Sequence, residues 1–150
     1  MRVVIQRVTQ ANVEVEGEEI SRIDQGMMIL LCVENGDTEA DLDWLVKKVL
    51  GLRIFDDADG VMNLDVNAVD GNILVVSQFT LVAGTRKGNR PSYIRAAAPD
   101  LAVPMYEEFC QRIELQTGKA VGRGRFGADM KVSLVNDGPV TIMIDSRLKE

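Results

Sequence analysis

Met130-Lys131-Val132-Ser133-Leu134-Val135, then Asn136-Asp137-Gly138-Pro139, then Val140-Thr141-Ile142-Met143-Ile144 is the stretch that decides the fold. Met130, Val132 and Leu134 alternate with Lys131 and Ser133, and Val140, Ile142 and Ile144 alternate in the same way. A period of two marks a strand with one face buried. Asn-Asp-Gly-Pro is turn chemistry, so the sequence predicts two strands separated at 136–139.

Working back from there, Gly122-Arg123-Gly124-Arg125-Phe126-Gly127 has the G-x-G-x-x-G spacing of a dinucleotide loop. That fingerprint needs a helix N-terminus after it to hold a pyrophosphate. A strand follows from Asp129 instead, so the match is accidental. A helix is expected to begin near Pro99-Asp100, with Pro104 in its first turn and an apolar stripe of Met105, Tyr106, Phe109, Cys110 and Ile113. Ile73 to Leu81 reads as a central strand. A first helix is capped at Asp37 or Thr38, buries Leu42, Leu45, Val46, Val49 and Leu50, and stops at Gly51. Val3 to Val8, Val13-Val15, Met27 to Val33 and Leu52 to Phe55 read as extended. Many strands and two main helices, without regular β-α-β alternation, predict a single α+β domain over 1–150 with a largely antiparallel or barrel-like sheet.

Composition narrows the chemistry. The 150 residues are 46% hydrophobic and 27% charged, ordinary for one globular domain. There is no histidine, which removes the usual base near neutral pH, any histidine triad and every histidine-containing zinc site. Cys32 and Cys110 stand apart in apolar surroundings, which predicts a reducing compartment and no thiolate cluster. Asp57-Ala58-Asp59-Gly60 suggests a calcium loop, but the twelfth position falls on Val66, where a carboxylate is needed. No cofactor or metal is expected. The longest apolar run, Met27 to Val33, is far too short to span a bilayer, and the start lacks a signal-peptide pattern, so a cytoplasmic protein is expected.

A net charge of −6 argues against nucleic acid. Yet two stretches hold cations and no acid: Arg86, Lys87, Arg90 and Arg95, then Lys119, Arg123 and Arg125. They are candidate phosphate-facing loops on an acidic body.

The reactive candidate is Ser77-Gln78-Phe79-Thr80-Leu81, where an apolar strand ends in three hydrogen-bonding side chains. In an extended chain Gln78 and Thr80 share one face, while Ser77 and Phe79 share the other. A bare hydroxyl needs an adjacent base to become a nucleophile, and none stands nearby in sequence. The bland alternative is a polar strand end that satisfies loop backbone. Gly138-Pro139 is a second candidate, because a glycine lets backbone carbonyls approach a ligand closely.

These residues resemble the bacterial D-aminoacyl-tRNA deacylases over essentially the whole chain. The matching pieces are Gln6-Arg7-Val8, Leu52-Arg53-Ile54-Phe55, Met62-Asn63, Val75 to Leu81, Arg90-Pro91-Ser92, Phe126-Gly127-Ala128 and Asn136 to Thr141. The resemblance implies a cytoplasmic homodimer that hydrolyses the ester between a D-amino acid and the tRNA 3′ end. It implies that Ser77, Gln78, Phe79 and Thr80 line the pocket. It further implies that Gly138-Pro139, as a cis pair, reaches into the partner subunit's site and faces the amino acid's chiral centre. Carbonyls set there would reject L-amino acids by clash and spare glycine, which has no side chain to clash. Arg86, Lys87, Arg90, Phe126 and Gly127 are the expected tRNA contacts. Arg123 departs from the threonine usual before Gly124. Two rivals stay open: a non-catalytic RNA-binding module, and an esterase with Thr80 as nucleophile.

Overall fold

The computed structural model describes residues 1–149. Its elements run β1 (Arg2–Val15), β2 (Glu18–Ile23), β3 (Gly26–Cys32), α1 (Glu39–Leu50), β4 (Phe55–Asp56), β5 (Met62–Leu64), β6 (Asn72–Ser77), a 3-10 turn (Phe79–Val82), α2 (Pro99–Thr117), β7 (Gly122–Arg123) and β8 (Met130–Asp145). β1 is the spine. β3 pairs antiparallel with its first half, β2 with its second, and β8 along its length. β6 lies parallel to β3, and β7 parallel to β6. β2 also reaches β6 and β7, so the sheet closes most of the way into a barrel. The predicted α+β class, two main helices and barrel-like sheet are all present. The parallel pairs arise because β3 reaches β6 through a crossover that contains α1, and β6 reaches β7 through one that contains α2.

β6 shows why its sequence is apolar throughout. Ile73 and Val75 face the helices, whereas Leu74 and Val76 face the barrel interior beside Val8, Ala11 and Val13. A strand covered on both sides reads as a continuous run. α1 begins after Thr38 and presents the five predicted residues to the core, with Gly51 as its C-cap. α2 buries Ala102, Tyr106, Phe109, Cys110 and Ile113, and Met105 packs against the same core. No helix among the described residues is long and apolar enough to cross a membrane.

Four expectations need correction. The terminal strands are one strand, β8, because pairing with β1 continues past 136–139 through register shifts opposite Gln6–Gln10. The two N-terminal segments are likewise one strand, β1, in which Thr9 and Gln10 are exposed where the alternation slips. Pro104 lies in the second turn of α2 rather than the first, where its solvent-facing position lets water reach the carbonyl it leaves unpaired. The central strand stops at Ser77, and the chain then turns.

Candidate active site

The turn builds the site. Beyond β6, the Gln78 N–H donates to the Leu31 carbonyl on β3 (2.8 Å), which is the last bond of the strand ladder. Phe79–Val82 then coils, with the Leu81 N–H donating to the Gln78 carbonyl (3.3 Å) and Ala83 to Thr80 (3.1 Å). The first N–H groups of such a turn have no partner within it, which leaves those of Phe79 and Thr80 for a ligand. Gln78 and Thr80 are not on one strand face as expected. The turn brings the Gln78 Nε2 to the Thr80 hydroxyl, which accepts at 2.5 Å.

A pocket of about 620 Å³ opens beside this turn. Ser77, Gln78 and Phe79 form one side, and Phe126, Gly127 and Ala128 form another. Thr80 stands just outside the lining. The Phe126 wall is held by α2. Tyr106, 2% exposed, donates its hydroxyl to the Val75 carbonyl (2.8 Å) and meets Phe126 edge-on at 6.3 Å. The Gly124 N–H reaches the same carbonyl (3.0 Å). At the mouth, Phe79 and Tyr93 form a second edge-to-face pair, 5.0 Å apart.

The sequence missed Cys32, Tyr93 and Tyr106 as lining residues. Tyr106 reads as a core position on its helix. Its hydroxyl was the available signal, since a buried phenol needs an acceptor.

The pocket holds no group poised as a base. Burial, then Glu34, pushes the Cys32 thiol up to about 11, and burial raises the Tyr106 phenol as well. The carboxylate of Asp129 sits on the rim in an ion pair with Lys131 (3.1 Å). Among the described residues no three His, Cys, Asp or Glu side chains cluster as a metal site.

The basic stretches divide. Arg95 pairs with the buried Glu34 (2.7 Å), Lys119 with Asp70 (2.6 Å), and Arg123 with Glu107 and with Glu114 (2.9 Å). Those three cations serve the protein's own acids. Arg86, Lys87 and Arg90 are exposed, in a loop closed by the Gly84–Ser92 bridge next to Tyr93. That places them beyond the mouth of the pocket rather than in its lining.

Gly138-Pro139 is a cis pair. Both residues are exposed on β8 and neither lines the pocket of their own chain. The corner is held from β1: the Arg7 Nε donates to the Asp137 carbonyl and its Nη1 to the Ile54 carbonyl, both at 2.8 Å.

The profile of the family described as D-Tyr-tRNA(Tyr) deacylase matches residues 4–145. The chain belongs to that family. Curated D-aminoacyl-tRNA deacylases of Phocaeicola vulgatus and Flavobacterium johnsoniae are 60% and 57% identical to it, over the whole of each chain. A solved structure of the c-Myc DNA unwinding element binding protein superposes with a TM-score of 0.91 at 38% identity, covering 97% of this chain and 98% of that one. The deacylase relatives thus align with every residue of this chain, and that fold with 97% of it.

Proposed function

We propose that this D-aminoacyl-tRNA deacylase holds the ester between a D-amino acid and the tRNA 3′ end against the Ser77–Thr80 turn, and hydrolyses it there. The observation that carries this reading is the turn itself. Among the described residues the N–H groups of Phe79 and Thr80 have no backbone partner, and they begin a turn beside a largely apolar pocket whose polar side chains include Ser77, Gln78 and Asp129.

Water attacks the ester carbonyl carbon, and the oxygen that becomes negative is met by those fixed N–H donors. Donors that need no reorganisation are worth most where water is excluded. The tetrahedral species then collapses. The bond to the ribose oxygen breaks, the amino acid leaves as its acid, and the proton from water ends on the ribose hydroxyl. A neighbouring ribose hydroxyl of the tRNA helps to orient the water, which suits a site without histidine. Positioning supplies the rest of the acceleration.

Chirality is read by exclusion. Gly138 and Pro139 stand exposed, apart from their own pocket, which fits a role in the site of a second copy across a two-fold interface. Among the described residues β8 has β1 on one side and no strand on the other, so a long edge is open to such a partner. A site that discriminates by clash admits any ligand lacking the offending group. Broad use of D-amino acids, rejection of L-amino acids and acceptance of glycine follow. A homodimer in the cytoplasm, proofreading charged tRNA, is the setting that the two buried free cysteines and the exposed cations support.

The test is amino acid release from D-alanyl-, L-alanyl- and glycyl-tRNA at equal enzyme. Release from the D and glycyl esters, with the L ester spared, is the expected result. A glycyl ester as resistant as the L-alanyl one would instead mean positive recognition of the D side chain. Release from none of the three would remove the deacylase reading.

A further inference from the structure

Arg2 lies on the face of β1 opposite Val3 and Ile5, and its side chain is only 17% exposed. All three of its guanidinium nitrogens are engaged. Nε and Nη2 donate to Asp145 Oδ2 at 3.0 and 2.7 Å, and Nη1 donates to the Leu81 carbonyl at 2.9 Å. Leu81 belongs to the turn that carries Phe79 and Thr80.

A four-residue turn has few bonds with which to hold its own height. Its entry is fixed by Gln78 to Leu31. Val82 is buried at its end, and among the described residues its remaining side-chain hydrogen bond to the barrel, apart from the weak approach of Cys32 Sγ to the Phe79 carbonyl (3.5 Å), comes from Arg2. Asp145 closes the other edge of the same guanidinium, and its second oxygen accepts the Arg147 N–H (2.9 Å), so the carboxylate is itself fixed. A planar fork can bind a carboxylate and a carbonyl together, whereas a lysine ammonium is a point charge.

We infer that Arg2 is a positioning residue for deacylation, with Asp145 as its orienter: it sets the height of the Phe79–Val82 turn against the bound ester. The inference rests on that turn being the reacting centre. Arg2 makes no contact with the pocket and lies outside the exposed cations, so it acts on the chemical step rather than on capture of the tRNA.

The experiment compares Arg2→Lys, Arg2→Met, Asp145→Asn and the Arg2→Met/Asp145→Asn pair in the full chain. It measures kcat and KM on D-alanyl-tRNA, with thermal unfolding alongside. A misplaced reacting geometry of about 1 Å costs on the order of a hundredfold. Arg2→Met is therefore expected to lower kcat by roughly tenfold to a hundredfold with KM within about twofold, and Arg2→Lys to recover part of the loss. Asp145→Asn should lower kcat less, and the pair should be no worse than Arg2→Met alone, because both act through one contact.

A folded variant with full kcat, a loss expressed in KM, or losses that multiply in the pair would each overturn the inference. So would a lowered melting temperature with kcat intact, which is what a purely structural role predicts. Should Arg2→Met fail to fold, Arg2→Lys and Asp145→Asn carry the same comparison. An inactive wild type would overturn the functional reading instead, so the two failures are distinguishable.

Discussion

Thr80 accepts a hydrogen bond from the Gln78 side-chain amide at 2.5 Å. A hydroxyl oxygen that already serves as an acceptor has a lone pair committed, and no base stands ready to take its proton. Thr80 is thus dressed as part of the turn and not as a nucleophile. Thr80→Ala should keep substantial deacylation, with a loss within about tenfold. Replacing the terminal 2′-hydroxyl of the tRNA by hydrogen should cost more, towards the 10²–10⁴-fold typical of a lost acid–base partner. Single-turnover release of D-alanine checks both. Complete loss in a folded Thr80→Ala protein that still binds tRNA would restore the acyl-enzyme reading.

Gly138 has no room for a side chain. A Cβ there would stand 2.0 Å from the Val140 nitrogen, so the corner must move to admit one. Gly138→Ala is expected to reduce D-alanyl-tRNA deacylation by about tenfold or more, since a shift of about 1 Å in a reacting geometry can cost more than that. A pair that only excluded L substrates, without being seated against D ones, would leave the D rate unchanged.

Arg86, Lys87 and Arg90 have no carboxylate partner among the described residues, unlike Lys119 and Arg123. Replacing the three by glutamine should weaken tRNA binding and flatten its dependence on salt. Each phosphate contact contributes a slope of about 0.7–0.9, so the change should be about 2 to 3. Lys119→Gln should leave the slope alone. Filter binding across a salt series separates the two, and equal slopes would make the loop an ordinary solvated surface.

Asp41 links the first turn of α1 to the end of the chain. It accepts the Thr38 N–H (2.9 Å) and the hydroxyls of Thr38 and Ser146 (both 2.8 Å). Burial alone would raise its pKa, but those bonds outweigh it and hold the carboxyl at about 2, below its ordinary 3.8. A carboxylate depressed on folding adds stability that is full above the unfolded value and fades as pH falls through the folded one. Asp41→Asn should therefore destabilise by about 0.5–2 kcal/mol at pH 7, the range of a lost cap. The gap should close between pH 4 and 2. Denaturant titrations at three pH values measure it, and a gap independent of pH would assign the effect to packing.

Sequence reached what short-range physics decides. The stripe and stops of α1, the two-sided burial of β6 and the polar end at Ser77 all follow from periodicity and capping. Long-range pairing decided the rest. Asn136–Pro139 has turn chemistry, yet β1 continues as a partner on both sides of it, so one strand carries the corner. Arg123 looked free because its acids, Glu107 and Glu114, come from α2 and meet it only after folding. The pocket wall at Phe126 needed Tyr106, whose position on a core stripe concealed its hydroxyl bond.

β1 touches both parts of the proposed machinery, on opposite faces. From one face Arg2 grips the turn at Leu81, and from the other Arg7 grips the carbonyl of Asp137 beside Gly138. An extended strand rises about 3.4 Å per residue, so the two grips are separated by about 17 Å of nearly inextensible chain. The strand is thus a fixed gauge between them. Inserting or deleting one residue there would slide one grip by about 3.4 Å and also turn it to the wrong face, since side chains alternate. Drift in length should accumulate instead at the exposed Glu16-Gly17 hairpin, beyond both grips. In this chain the spacing from Arg2 to Arg7 is therefore fixed in count as well as at its two ends.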